Sequence, residues 1–295
     1  MSDLGSRPTG AGWSWLDPPI TAAREVATRA LAEDLGVLGD LTAGLMPADA
    51  TVVAVLAARG DGVLAGRLAA DEAFRAVDPA IAVQWEAADG DRLAPGTVVA
   101  VVRGALRSVL TAERTVLNLL GHLSGVATLT RRYVDAAGDA CSIRDTRKTT
   151  PGLRALEKAA VRAGGGANHR GSLSEGILVK DNHLAGLGIA DAVAAARRRW
   201  PGHPVEVECD DLEQVGAALA AGADLVLVDN MSPDAVAAAV RLVAGRAPVE
   251  VSGGVGLADV AAYAAAGADL IAVGALTHSA PVLDLGLDLS PGQGH

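Results

Sequence analysis

Aromatic residues make up only 2% of this 295-residue chain: four Trp, two Tyr and one Phe. Large rings therefore fill little of the core. That role falls to Ala, Val and Leu, which dominate a hydrophobic fraction of 50%. Small aliphatic side chains, with 35 Gly, suit close packing of helices on sheets and tight turns. Cysteine is also scarce. Cys141 and Cys209 are far apart and form no CxxC, which excludes a disulfide framework and fits a reducing compartment. Excess positive charge is missing, since the formal net charge is -10. A broad basic surface for bulk nucleic-acid binding is thereby excluded. The cluster Arg197-Arg198-Arg199 closes a helical run, where cations suit the helix dipole. No uncharged apolar run reaches the ~18 residues of a membrane span. The stretch "MSDLGSRPTGAGWSWLDPP" has no apolar core of a signal peptide. A soluble cytoplasmic protein is expected.

What is present is a regular alternation from about residue 140 onward. Strand-like runs "CSIRD", "GILVK", "VEVEC", "DLVLVD", "PVEVS" and "DLIAVG" alternate with Ala-rich helical runs such as "GLRALEKAAVRAG" and "PDAVAAAVRLVAG". Such alternation predicts parallel β/α units, with strands apolar on both faces beneath covering helices. Almost every strand ends in a polar residue: Arg144 or Arg147, then Lys180, Glu208, Asp229 and Ser252, with His278 just beyond the last. In a barrel these ends converge on one mouth, whereas in an open sheet they spread along an edge. A ring of functional groups favours the barrel. Six units are countable where a closed barrel has about eight, so the expected fold is an irregular, incomplete β/α barrel.

The first part of the chain reads as an α+β layer. A helix over "TAAREVATRALAEDLG" is followed by strands "TVVAVLAA", "GVLAG", "IAVQWEA" and "TVVAVVRG", with a helix around "AADEAFRAV". A long helical run from "LTAERTVLNLL" leads into the barrel, and "VLDLGLDL" can return as a strand to the first layer. The expected division is an α/β sandwich over residues 1–118, joined by the tail 281–295, and a barrel over 119–280.

Arg147, Lys148, His169, Arg170 and Lys180 all fall at or just after the first two barrel strands. Arg holds carboxylates bidentately and Lys adds a compact charge. So many cations on one rim imply a substrate with more than one anionic group. Glu208 and Asp229 end neighbouring strands and suit Mg²⁺, a hard ion that takes one or two protein carboxylates plus phosphates and water. Glu206 shares the face of Glu208 by alternation and is a rival ligand. The loops "SGGVG" and "VGALTHS" follow the last two strands, where backbone N–H groups commonly cradle a phosphate. Ser252 and His278 are candidate side-chain donors there. His169, His183 and His203 lack the spacing of a zinc site. A polyanion clamp, a metal pair and a phosphate cradle together suit phosphoribosyl diphosphate reacting with a small polycarboxylic acid.

The segments "LTAERTVLNLLGHLSGVAT", "IRDTRKTTPGLRALEKAAVRAGGGANHR", "ILVKDNH", "VEVE", "LVDN", "SGG" and "VGALTHS", in this order, carry a resemblance to the quinolinate phosphoribosyltransferase family from about Leu31 to Leu289. The resemblance implies an N-terminal sandwich, a roughly seven-stranded irregular barrel, and a homodimer in which the first domain of one chain covers the barrel mouth of the other. It implies that Arg147, Lys148, His169, Arg170 and Lys180 hold two quinolinate carboxylates, with Arg114 of "TAER" reaching across from the partner chain. Glu208 and Asp229 then lie at the Mg²⁺–ribose region, and Ser252, Gly253, Gly254, Gly274 and His278 hold phosphate. Lys148, Lys180, Glu208 and Asp229 are the catalytic candidates. Gly171, Glu175 and Ala159 depart from the family's pattern and are expected to loosen the wall beside the substrate ring. Other readings of the same residues are a Schiff-base lyase using Lys180, a molybdenum-transport-associated relative, and a non-catalytic sensor of a phosphoribosyl metabolite.

Overall fold

A computed structural model describes residues 16–184 and 186–291. Along Thr51–Ala58 buried Val52, Ala54, Leu56 and Ala58 alternate with more exposed neighbours. This is the period of a strand buried on one face. The first layer runs α1 (Ile20–Leu35), β1 (Thr51–Ala58), β2 (Gly62–Val63), α2 (Arg67–Val77), β3 (Ala82–Trp85), β4 (Arg92–Leu93), β5 (Val98–Ala105) and α3 (Leu106–Ala137). Ala23, Ala27 and Leu31 of α1 and Ala69, Ala70, Ala73 and Phe74 of α2 form the buried helix faces. The barrel part runs β6 (Ser142–Arg144), α4 (Arg154–Ala163), β7 (Ile177–Val179), α5 (Asp181–Leu184), α6 (Ile189–Arg199), β8 (Val205–Cys209), α7 (Leu212–Ala220) and β9 (Leu225–Asp229). It continues with α8 (Pro233–Val243), β10 (Val249–Ser252), α9 (Val260–Ala265), β11 (Leu270–Ala272) and α10 (Ala275–His278). The last strand, β12 (Leu285–Pro291), lies antiparallel to β1, so the first sheet has the order β12-β1-β5-β3.

Helix α3 is the wall between the two layers. Its glycines set how closely the chain passes it. A Cβ on Gly125 would stand 2.1 Å from the carbonyl oxygen of Pro281, in the connection to β12. A Cβ on Gly164, at the end of α4, would stand 2.4 Å from the carbonyl oxygen of Ala127.

The second sheet is parallel, with order β6-β11-β10-β9-β8-β7. It curls, but no ladder joins β6 to β7 among the described residues. What stands beside β6 is a single parallel bridge, Arg144 with Ala167, made by Ala167 N–H to Ile143 O (2.8 Å) and Asp145 N–H to Ala167 O (3.3 Å). The run "GGGANHR" supplies no β-branched residues to extend it. The barrel is therefore incomplete, and its interrupted seam carries His169 and Arg170.

One expectation needs correction. The strands are not apolar on both faces. Val205, Val207, Val226, Val228, Val251 and Ile271 are fully buried, but alternate positions carry buried Glu206 and Glu250 and half-buried Arg144, with Arg144 paired to Glu250 and His169 to Glu206. An interior charge is tolerated where hydrogen-bonded opposite charge replaces its water, and single strands cannot reveal that compensation. Ser232 caps α8 by accepting from Ala235 N–H (3.3 Å), and Asp211 caps α7 by accepting from Gln214 N–H (2.8 Å).

Gly125→Ala should lower stability by about 1–3 kcal/mol or more, because the clash is with backbone and not with a yielding side chain. Gly216→Ala, inside α7 with nothing within 4 Å of the added Cβ, should raise it by about 0.5–1 kcal/mol. Thermal and denaturant melts of the two variants check both signs.

Candidate active site

At the C-terminal ends of the parallel strands lies a cavity of about 480 Å³. Its floor is Leu178, Leu227 and Ala272, and its walls include Arg147, Lys148, His169, Arg170, Lys180, Glu208, Asp229, Ser252, Gly253 and Gly254. Alternation explains why these side chains meet. Leu178 and Lys180, Glu208, Leu227 and Asp229, and Ser252 share the inward face, and β9 pairs with β10 in a register that sets Asp229 beside Ser252. Gly274 and His278 flank the wall: a Cβ on Gly274 would lie 3.1 Å from both His278 Nε2 and Lys148 Cδ. Thr277 Oγ1 donates to Lys148 O (2.9 Å), tying α10 to the cationic loop. Arg114 is exposed on α3 and does not line this cavity within one chain.

Not every cation of the opening cluster faces the cavity. Arg144 turns inward and donates to Glu250 (2.6 Å) and Asn168 O (3.2 Å). Arg154 holds loop carbonyls, donating to Gly171 O (3.2 Å) and Arg147 O (3.4 Å). Arg147 is thus the strand-end arginine that meets the cavity. Burial, and then the neighbouring Arg147 charge, depress the Arg170 guanidinium below its usual range. Two like charges held together in this way favour an anion between them.

His169 sits on the wall, but both its ring nitrogens are engaged. Nδ1 lies 2.7 Å from the Arg170 N–H, which donates to it, and Nε2 lies 2.9 Å from Glu206. Among the described residues, His169, Glu206 and Glu250 are the group of three that could hold a metal ion. One oxygen each of Glu206 and Glu250 is buried without a hydrogen-bond partner. Arg144 already occupies the other oxygen of Glu250, so the charge of this cluster is compensated only in part. Burial first, and Glu206 second, push the Glu250 carboxyl above its ordinary range, against the pull of Arg144.

Glu208 accepts from Lys180 Nζ, and Asp229 accepts from Asn230 Nδ2 (2.6 Å). Each carboxylate is engaged through one oxygen, leaving the other turned to no protein donor among the described residues. Two hard oxygen donors on one cavity wall fit a Mg²⁺ ion. Next to Asp229, Gly253 and Gly254 take φ of 96° and 60°, and their N–H groups meet no protein acceptor among the described residues. A Cβ on Gly253 would lie 2.4 Å from Asn230 Oδ1, while one on Gly254 would meet nothing within 4 Å. This turn can present amides to a phosphate.

Comparison with known proteins decides the lineage. The model of the quinolinate phosphoribosyl transferase N-terminal domain matches residues 40–124, and that of the C-terminal domain matches residues 126–288. The chain belongs to the quinolinate phosphoribosyltransferase family. It is 47% identical over 283 residues to the nicotinate-nucleotide pyrophosphorylase [carboxylating] of Mycobacterium leprae, covering 92% of this chain and 99% of that one. It is 42% identical to the probable enzyme of that name from Bacillus subtilis, over 88% and 90% of the two chains. The nicotinate-nucleotide pyrophosphorylase structure from Francisella tularensis superposes with a TM-score of 0.89 at 37% identity, covering 93% of this chain and 98% of that one.

The departures from the family's pattern do not border the cavity. Ala159 is buried beside Pro18, Gly66 and Leu123, on the side of α4 that meets the first layer. Glu175 accepts from Gly171 N–H (2.7 Å), and both lie in a neighbouring hollow behind Lys158 and His169. Asn230 and Thr146 do line the cavity and were not singled out from sequence. The available signal was the Asn itself, because Asn230 has φ of 54° and Asn is enriched in that left-handed region.

A group whose folded pKa is raised, as for Glu250, favours the fold at acid pH, and that contribution is lost as pH climbs through the raised value. Arg144→Leu removes the opposing charge and raises that value further. The variant's loss of stability should be smallest near about pH 4.5 and reach about 3–5 kcal/mol near pH 8. Paired melts of parent and variant across this range check it, and a deficit independent of pH would contradict it.

Proposed function

We propose that this protein transfers the phosphoribosyl group of phosphoribosyl diphosphate to quinolinate and releases CO₂, giving nicotinate mononucleotide and diphosphate for NAD biosynthesis. The observation that carries the reading is the convergence of Arg147, Lys148, Arg170 and Lys180 on one cavity that the Gly253–Gly254 turn also lines. Four cations suit a dicarboxylate next to a diphosphate, and the open amides suit the 5′-phosphate. Family membership supports the same pair of substrates.

The residues then divide the work. Arg147 and Arg170 hold the quinolinate carboxylates, and Lys148 and Lys180 add charge where diphosphate departs. The His169 ring braces Arg170. Ser252, Gly253, Gly254, Gly274 and His278 hold the 5′-phosphate. The ring nitrogen attacks the anomeric carbon as the bond to diphosphate breaks. Charge at that carbon is cationic in the transition state, and Glu208 and Asp229 face it, so positioning and electrostatics lower the barrier. Mg²⁺ held by Glu208 and Asp229 would neutralise charge on the diphosphate. Once the nitrogen is alkylated, the ring accepts the electron pair of the adjacent carbon–carboxylate bond and CO₂ leaves. That carbon then takes a proton, for which Lys148 and Lys180 are the nearby acids.

We place Arg114 in the active site of a partner chain, in a homodimer. Its exposure on α3, outside its own cavity, is consistent with this. Lys180 paired with Glu208 is the reverse of the neutral amine a Schiff-base lyase needs. Among the described residues no helix is long and apolar enough to cross a membrane, and we assign the reaction to the cytoplasm.

Purified protein with quinolinate, phosphoribosyl diphosphate and Mg²⁺ should form nicotinate mononucleotide and CO₂, and nicotinate should be a poor substrate. No product from a folded protein would overturn the reading. Arg114→Ala and Lys180→Ala chains should each be nearly inactive. Random mixing should restore about a quarter of the parent rate, since half the dimers are mixed and each has one intact site of two. Confirmed mixed dimers without recovery would contradict a shared site.

A further inference from the structure

His169 is held from both sides of its peptide. Its N–H donates to Asp145 Oδ1 (2.9 Å), and its carbonyl oxygen accepts from Lys158 Nζ (2.8 Å). Asp145 and Lys158 are themselves an ion pair, with side chains 0% and 8% exposed. Asn168 joins them, its Nδ2 donating to Asp145 Oδ2 and to Lys158 O (3.0 Å). Neither Asp145 nor Lys158 lines the substrate cavity. Yet Asp145 lies two residues before Arg147, and the clamped peptide lies one residue before Arg170.

A buried ion pair is weak evidence for stability, since well-packed apolar residues of similar volume often serve as well. Burial raises the Asp145 carboxyl and lowers the Lys158 amine from their ordinary values, each opposed by the other's charge. The arrangement does something apolar residues cannot. One group accepts from, and the other donates to, the two ends of a single residue. That residue stands in the interrupted seam, where β6 is flanked by one bridge instead of a ladder. Strand pairing therefore does not fix the Asn168–Arg170 segment. Meanwhile Arg147 and Arg170 repel each other across the cavity.

We propose that the buried Asp145–Lys158 pair is a positioning device for the substrate cations, replacing the missing strand ladder and setting the separation of Arg147 from Arg170. What those arginines hold rests on the function proposed above; the clamp itself does not. Its loss should weaken the dicarboxylate site and spare the Ser252–Gly254 part of the phosphate cradle, which follows β10 and is separated from β6 by β11.

The test uses Asp145→Asn, with Glu72→Gln as a stability control. Glu72 is a buried acid paired with Arg24 and Arg75 in the first layer, and it does not line the cavity. Hydrogen exchange followed by mass spectrometry should show peptides covering 165–172 opening about tenfold faster in Asp145→Asn and at the parent rate in Glu72→Gln. The KM for quinolinate should rise by about tenfold or more while that for phosphoribosyl diphosphate stays within about twofold. Should Asp145→Asn not fold, the pair Asp145→Leu with Lys158→Met restores an uncharged interior and should show the same split. Unchanged exchange would overturn the clamp. Faster exchange with an unchanged quinolinate KM, or with both KM values rising together, would overturn its positioning role. If the parent does not turn over quinolinate, the functional reading falls, and exchange alone still decides the clamp.

Discussion

Like charges at the mouth of the barrel must be held close together against their own repulsion, and most of the polar structure follows from this. Arg147, Lys148, Arg170 and Lys180 share one cavity. Beneath and beside them the chain places carboxylates in compensating positions: Glu208 on Lys180, Asp145 on Lys158, and Glu250 on Arg144. Few of these acids are solvent-exposed. In a low-dielectric interior an unpaired charge is costly, so each pair constrains the other and the geometry becomes stiff. A substrate with two carboxylates then meets a site whose electrostatic cost is already met by the fold.

The rest of the architecture makes that polar interior possible. The inward face of the parallel strands mixes charged residues with Leu178, Leu227 and Ala272, and the outward face carries Val and Ile sealed under helices. Small residues allow the sealing. Alanine faces on α1 and α2 and glycines on α3 bring backbones close, so the first layer packs tightly with few large side chains. A chain with so few aromatics reaches a dense core by close approach of its elements instead of by ring volume.

Much of this was legible along the chain. The six parallel strands and the helices between them followed from periodicity. Polar residues at strand ends pointed to Lys180, Glu208, Asp229 and Ser252, because in-register parallel strands deliver their C-terminal ends to one place. Other features were not legible. Arg144 and Arg147 are three residues apart in one cationic run, and only the turn after β6 decides that one faces Glu250 and the other the cavity. Glu206 read as a possible metal ligand from its face; that it is buried beside His169 and Glu250, in a group whose side chains could together hold a metal ion, was visible only in the structure. Ala159 read as part of the substrate wall because nearness to Lys158 in sequence does not say which side of α4 a residue occupies.

The sequence by itself determined the order of elements, the face of each strand and the chemistry available at the strand ends, since these depend on periods of two and 3.6 and on residue type. Tertiary structure alone decided which charges neutralise each other, that both nitrogens of His169 are engaged, that Asn230 packs against Gly253 from the neighbouring loop, and that a single bridge at Ala167 stands where a further strand was implied. The physical reason is distance. Local preferences act over a few residues, whereas Arg144 meets Glu250 across 106 positions of chain. Pairing over that span exists only once the barrel has curled.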